Sequence, residues 1–144
     1  MLEISQQGLA LVKHFEGFNS SVYYCPAGYA TIGYGHLVKG NELFERPISE
    51  SVAEALLRQD VRSAERAVRR LIQVPLTQSQ FDSLVSFTYN LGGGALQRST
   101  LRRVINRGHH HEVPRQLRRW VWAGGRKLKG LVRRREAEAE LYLS

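Results

Sequence analysis

The chain is short of several things, and each shortage excludes something. One cysteine, Cys25, stands among 144 residues, so no internal disulfide can form and stability has to come from packing. No apolar run approaches the ~20 residues that a membrane-crossing helix needs. The N-terminus, Met1-Leu2-Glu3-Ile4-Ser5-Gln6-Gln7, has neither a basic leader nor a small-residue cleavage site, so no signal peptide is expected. Acidic side chains are scarce toward the C-terminus. Between Leu101 and Arg135, Glu112 alone opposes Arg102, Arg103, Arg107, Arg115, Arg118, Arg119, Arg126, Lys127, Lys129, Arg133, Arg134 and Arg135. The formal net charge of +8 draws polyanions by field alone, with nucleic acid and an acidic cell-wall or lipopolysaccharide surface as the two classes of partner. A solvated arginine-rich surface without a partner is the plain alternative. Only Trp120 and Trp122 interleave with these cations and no recognised DNA- or RNA-binding signature is present, so no nucleic acid is expected.

What is there reads as a mostly helical α+β chain, long enough for one core or for two small lobes sharing a helix. Ser5 caps a first helix whose buried stripe is Leu9, Val12 and Phe15, with Gly17 as its stop. Residues 21–36 predict a hairpin: Val22, Tyr23 and Tyr24 in one strand, Pro26-Ala27-Gly28 in the turn, and Tyr29 to Tyr34 in the return strand. Residues 37–48 predict a loop ending at Pro47. The spacing of Leu57, Val61, Ala64, Val68 and Leu71 predicts one continuous helix from about 49 to 73, about 36 Å long at the usual rise. Ser51 and Glu54 are its expected capping box, and Val74-Pro75 its end. Thr77 and Gln80 box the next helix, whose apolar face is Phe81, Leu84, Val85 and Thr88. Gly92-Gly93-Gly94 reads as a flexible corner. Helices are expected near 95–106, from Pro114 to Ala123, and over 130–142.

The chemistry gathers at the start. Glu16 falls in the last turn of the first helix, where the negative end of the helix dipole disfavours a carboxylate and suits a group that must hold its proton. Cys25 and Thr31 follow on the hairpin. A carboxyl set against a thiol and a hydroxyl suits glycoside hydrolysis, in which an acid protonates the leaving oxygen and a second polar group handles water across the sugar ring. Gly33 and Gly35 leave bare backbone where a sugar could approach, or mark a tight bend. His109-His110-His111 reads as a solvated loop, because consecutive residues cannot all face one ion.

This order of residues resembles the phage-type lysozymes, family 24 of the glycoside hydrolases. Besides Glu16, Thr31 and Gly33-Tyr34-Gly35-His36, the resemblance rests on the run Leu76 to Gly92 and on Gly130-Leu131-Val132-Arg133-Arg134-Arg135-Glu136. It implies a two-lobe lysozyme-like fold within a single catalytic domain over 1–144. The hairpin lobe would cover about 17–48, the connecting helix about 49–73, and a helical lobe about 74–144 plus the N-terminal helix. It also implies cleavage of the β-1,4 bond between N-acetylmuramic acid and N-acetylglucosamine in peptidoglycan, by a monomer with no metal and no cofactor. By the resemblance Glu16 is the general acid, Thr31 helps hold the water, and the Cys25 position holds or activates it. Tyr89 and Asn90 are matched to positions that contact the glycan and His36 to an ion pair with Asp60; Gly33 and His36 are expected among the substrate-binding residues as well. One arginine of Arg133-Arg134 is expected near Glu16. A phage endolysin made in the host cytoplasm would reach the wall through a membrane hole. The alternative is a nucleic-acid- or wall-binding protein that kept the fold without catalysis.

One position departs from the family, which commonly has Asp where this chain has Cys25. A thiol with the ordinary pKa near 8.5 is mostly neutral at neutral pH. Three readings stay open: a thiolate base or nucleophile, a thiol that orients water beside Thr31, or a packed residue in a weak enzyme.

Overall fold

The computed structural model describes every residue from Met1 to Ser144. The chain is mostly helical with a small antiparallel sheet. It runs α1 (Gln6–Glu16), β1 (Asn19–Tyr24), β2 (Ala30–Gly33), β3 (His36–Leu37), α2 (Glu50–Asp60), α3 (Arg62–Leu71), α4 (Gln78–Leu91), α5 (Gly93–Arg98), α6 (Thr100–Asn106), a single 3-10 turn at His110–Glu112, α7 (Val113–Leu117), β4 (Trp122–Ala123), β5 (Arg126–Lys127) and α8 (Lys129–Leu143). Two compact units divide it, one formed by Met1–Val12 with Ser63–Ser144 and the other by Lys13–Arg62.

In the smaller unit the three strands lie in the order β1-β2-β3, so the expected hairpin has gained a third strand. Gly33 and Gly35 make that possible. Their φ angles of 67° and 84° let the chain reverse around Tyr34 and bring His36 back opposite Ile32. Two residues are too few to show an alternating pattern, which is why β3 read as loop. Asn19 pairs with Gly33 while Tyr23 pairs with Thr31, so β1 carries an irregularity between those two pairs. Ser49, not Ser51, is the N-cap of α2, its hydroxyl accepting from the Val52 N–H at 3.2 Å. Glu54 serves no cap. It pairs with Lys13 and, at 3.4 Å, with Arg58.

The single helix expected over 49–73 is two segments. Val61, with ψ of −11°, caps α2 and separates it from α3. The apolar stripe Leu57, Val61, Ala64, Val68 and Leu71 is buried as its spacing requires.

The larger unit is built around α4, whose residues from Phe81 to Thr88 are all buried, and which packs chiefly on α8. The Thr77–Gln80 capping box is present in full. Asp82, 1% exposed, ties the chain before α1: its Oδ1 accepts from the Ser5 N–H at 3.0 Å, and the Ser5 hydroxyl donates to its Oδ2. Gly92 ends α4 with φ of 94°, but Gly93 and Gly94 lie inside α5, so the glycine run is a helix-to-helix joint and not a free corner. An added Cβ at Gly93 would stand 3.3 Å from Cβ of Ala67. The helix expected over 95–106 is broken by Ser99, which caps α6 through the Arg102 N–H at 3.0 Å. The one expected over 114–123 stops at Leu117, and the chain then forms a two-stranded hairpin turning at Gly124-Gly125.

Candidate active site

Glu16, Cys25, Thr31, Gly33, His36 and Asp60 all belong to the smaller unit; Tyr89 and Asn90 belong to the larger one. Glu16 is the last residue of α1 and half-buried. The helix ends there because Gly17 takes φ of 75° while its N–H still reaches the Lys13 carbonyl at 2.9 Å.

Cys25 follows β1 at the turn into β2. Its N–H donates to the Tyr29 carbonyl at 2.9 Å and its carbonyl accepts from the Gly28 N–H at 2.8 Å, which fixes the turn's shape. The thiol sits among donors. The Tyr29 N–H lowers its pKa, helped by the Ala27 and Gly28 amides and the Thr31 hydroxyl, while partial desolvation works against them. Thr31, 3% exposed, has one hydroxyl proton, which lies toward the Tyr29 carbonyl at 2.9 Å. The hydroxyl also lies within reach of the Cys25 sulfur.

His36 is expected among the substrate-binding residues, and the structure corrects this. It is 2% exposed and both ring nitrogens are taken: Nδ1 lies 2.8 Å from Oδ2 of Asp60, and Nε2 lies 2.9 Å from Oε1 of Glu42. Burial alone pushes its pKa down. The hydrogen bonds from Glu42 and Asp60, with their charges, more than reverse that and raise it above 6.5. No nitrogen remains for a sugar. Glu42 is the partner that sequence reading missed, since it lies in the 37–48 loop with no periodicity to mark it.

Gly33 is also used differently from the expectation of open backbone. It is buried, and a Cβ added there would sit 3.2 Å from Cβ of Ala53 on α2. The missing side chain admits a helix, not a sugar.

In the larger unit Asn90 is half-buried at the end of α4, and its Oδ1 accepts from Nη2 of Arg135 at 2.8 Å. This fixes the amide's orientation, with its oxygen toward Arg135. Arg135 and Glu138 are fully buried. Nη2 donates to Oε2 of Glu138 at 3.0 Å, while Nε stands 2.6 Å from Oε1 without the alignment of a hydrogen bond. Ser86 donates to the same Oε2 at 2.6 Å. Of the Arg133-Arg134 pair, Arg134 is buried against Ser86 and Glu138, and Arg133 is exposed. Part of the basic block is therefore interior. Its sequence signal was available in the i,i+3 and i,i+4 spacing of Glu138 from Arg135 and Arg134.

His109 pairs with Glu112 at 3.1 Å and His110 Nδ1 lies 2.6 Å from the Tyr142 hydroxyl. His109 and His110 thus have separate partners.

The Phage lysozyme family model matches residues 13–138. The chain belongs to the phage lysozyme family. It is 44% identical to an endolysin of Bacillus phage B103 over 99% of this chain and 55% of that protein, so it spans about half the length of that relative. It is 37% identical to an endolysin of Acyrthosiphon pisum secondary endosymbiont phage 1, over 99% of each. Among solved structures, an endolysin of Escherichia coli phage FAHEc1 superposes with a TM-score of 0.89 at 37% identity, covering 99% of this chain and 94% of that one. The family and the fold are thus those of the phage lysozymes.

Proposed function

We propose that the protein is an endolysin, hydrolysing the β-1,4 bond between N-acetylmuramic acid and N-acetylglucosamine in peptidoglycan to lyse a phage-infected host. The family match over 13–138 carries this reading, and the polar set at Glu16, Cys25 and Thr31 supplies the chemistry for it. Glu16, as carboxylic acid, gives its proton to the leaving glycosidic oxygen as the bond to the anomeric carbon breaks. Thr31 orients a water on the other side of the ring. The Cys25 thiolate takes a proton from that water as its oxygen bonds to the anomeric carbon, and exchange with solvent then restores both groups. The donors around the sulfur favour the thiolate base over a neutral water-orienting thiol. Asn90 and Tyr89 contact the glycan. The surface arginines raise the encounter rate with anionic wall polymers, an effect that salt weakens. No helix is long and apolar enough to cross a membrane, and the protein reaches the wall through a hole made by another component.

Clearing of permeabilised Gram-negative cells tests this. Glu16→Gln should lose about a thousandfold in rate, within the usual range for a general acid. Cys25→Asp should stay active and Cys25→Ser should fall between. Clearing by Glu16→Gln at the wild-type rate would defeat the assignment, and a serine variant as inactive as the glutamine variant would make Cys25 as indispensable as Glu16.

A further inference from the structure

A seam on the larger unit gathers arginine and nothing that neutralises it. The start of α5 packs on α3, where a Cβ added to Gly93 would stand 3.3 Å from Cβ of Ala67. One residue on, a Cβ at Gly94 would stand 3.2 Å from Nη1 of Arg98. The Arg98 side chain therefore runs back along its own helix and sets its guanidinium beside the seam. On α3, Ala67 has Arg66 next to it and Arg70 one turn on. Arg102 closes the far end, with Nε donating to the Leu71 carbonyl and Nη1 to the Gln97 carbonyl, each at 3.1 Å. Arg66, Arg70 and Arg98 are exposed.

Like charges one turn apart on a helix repel, and Arg66 and Arg70 have that spacing. Elsewhere the chain sets acids against its exposed arginines, as in Arg58–Glu54, Arg115–Glu112 and Arg118–Glu136. Here it does not. Between Ser63 and His111 the only carboxylates are Glu65 and Asp82. Both are buried and occupied, Glu65 by the Ile4 N–H and Asp82 by Ser5. The seam thus lacks an anion, and its chemistry selects one. A carboxylate has two oxygens and is filled by one guanidinium fork. A phosphate monoester presents three terminal oxygens and about two negative charges, enough for several forks at once. No large apolar side chain is exposed between Ser63 and Val121, so nucleobases would find no aromatic platform. A polar, sugar-like carrier fits.

We propose that the α3–α5 seam is a docking site for phosphate groups carried on a glycan, held by Arg66, Arg70 and Arg98, none of which is a catalytic residue. This gives the attraction of the surface arginines both an address and a chemistry. That the phosphorylated glycan belongs to a cell envelope rests on the endolysin reading; the phosphate site itself does not.

Calorimetry with phosphomannan, a mannan bearing phosphate monoesters, tests it, with the same mannan after phosphatase treatment as control. Wild type should bind the phosphorylated form, and phosphatase treatment should weaken binding by about tenfold or more, the scale of lost charge-assisted hydrogen bonds. Arg70→Gln/Arg98→Gln should weaken it to a similar degree. Arg126→Gln/Arg133→Gln, which removes the same charge from elsewhere on the larger unit, should bind as wild type does. Gly94→Ala is the second probe: its methyl displaces the Arg98 guanidinium while favouring α5, so binding should weaken in a protein that unfolds at no lower urea. Equal binding to the phosphatase-treated mannan or to polyglutamate overturns the phosphate assignment. Equal loss in the two double variants reduces the effect to net charge and overturns the site. Tighter, Arg98-dependent binding of single-stranded DNA would make nucleic acid the partner instead. A wild type that clears cells but ignores phosphomannan defeats this site alone. One that binds phosphomannan through Arg98 and clears nothing defeats the endolysin reading and leaves the site standing.

Discussion

Asn90 is held by Arg135: its side-chain carbonyl accepts a 2.8 Å hydrogen bond from a guanidinium that has no exposure to solvent. That guanidinium stays charged in the interior because Glu138, equally buried, lies against it, and because the Phe87 ring stands 5.2 Å from its centre. Burial lowers the pKa of Arg135 and raises that of Glu138, each opposed by the other's charge. Removing one partner is therefore worse than removing both. Glu138→Gln should cost about 3–5 kcal/mol, the usual penalty for an uncompensated buried charge, read from urea unfolding. The paired replacement Arg135→Met/Glu138→Leu should recover most of that stability while weakening glycan binding, because Asn90 loses its anchor. A Glu138→Gln protein within 1 kcal/mol of wild type, the level of an exposed pair, would show that the network is not what stabilises α4 on α8.

His36 fastens the strand β3 to α2 through Asp60 and to the following loop through Glu42, and its charge decides how well. Its pKa is raised above the ordinary 6.5 in the folded protein, so the stability it adds is full below 6.5 and disappears as pH climbs through the raised value. Glu42 runs the other way. Its pKa is held below 4.5 by the Lys39 N–H first and then by His36; its contribution is full above 4.5 and is lost as pH falls through the lowered value. The clamp is strongest in the mildly acid window between them. Melting temperature followed across pH should show wild type exceeding Asp60→Asn most in that window, with the gap narrowing toward alkaline pH, while turnover of the variant is spared. A constant gap at every pH would remove the imidazolium from the explanation.

The thiol of Cys25 makes a separate claim. Its surrounding donors lower its pKa, so thiolate should appear at a lower pH than in a free cysteine peptide. Alkylation by iodoacetamide, measured against pH, should rise with a midpoint below that of the peptide. Thr31→Val removes one donor and should move the midpoint back up, and activity at neutral pH should fall with the thiolate fraction. An unmoved midpoint in Thr31→Val would mean the hydroxyl stays with the Tyr29 carbonyl in both protonation states.

Local signals in the chain were readable and long-range ones were not. The Thr77–Gln80 cap, the Leu57-to-Leu71 stripe and the end of α1 at Glu16 depend on neighbours within four residues, and the structure keeps them. Ser51–Glu54 satisfied the same local rule and still failed, because Glu54 is drawn to Lys13, 41 residues away. β3 and the β4–β5 hairpin are two residues per strand, too short for period-two alternation. Glu16 at the end of α1 and Thr31 in the return strand of the hairpin stand where local signals put them. Glu42, Asp82 and Glu138 were not legible: Asp82 and Glu138 matter because they are buried, Glu42 because it reaches the buried His36, and no single window of sequence reveals either. For the same reason Arg134 and Arg135 were counted with a surface to which they do not belong.

The N-terminal turn of α1 offers a test in which two effects oppose each other. Gly8 lies inside the helix, where alanine is ordinarily better by about 0.5–1 kcal/mol. Here a Cβ would stand 2.7 Å from Cγ of Asp82 and 2.7 Å from Cγ1 of Ile4. Asp82 has little room to yield, because the Ser5 N–H and hydroxyl and the Gln78 amide, at 2.8 Å, all donate to it. Ile4 is pinned as well, its N–H donating to Oε2 of Glu65 at 2.7 Å. Overpacking of about 1–3 kcal/mol should outweigh the gain in helix propensity. Gly8→Ala should therefore unfold at lower urea than wild type with an unchanged slope. Gly8→Ala combined with Asp82→Ala should show less than the sum of the two losses, since the contact with Cγ goes with the carboxylate and the hydrogen bonds that pin the remaining Cβ at 2.8 Å go with it. A more stable Gly8→Ala protein would mean that the segment before α1 moves aside freely, and the hydrogen bonds on Asp82 would then hold nothing in place.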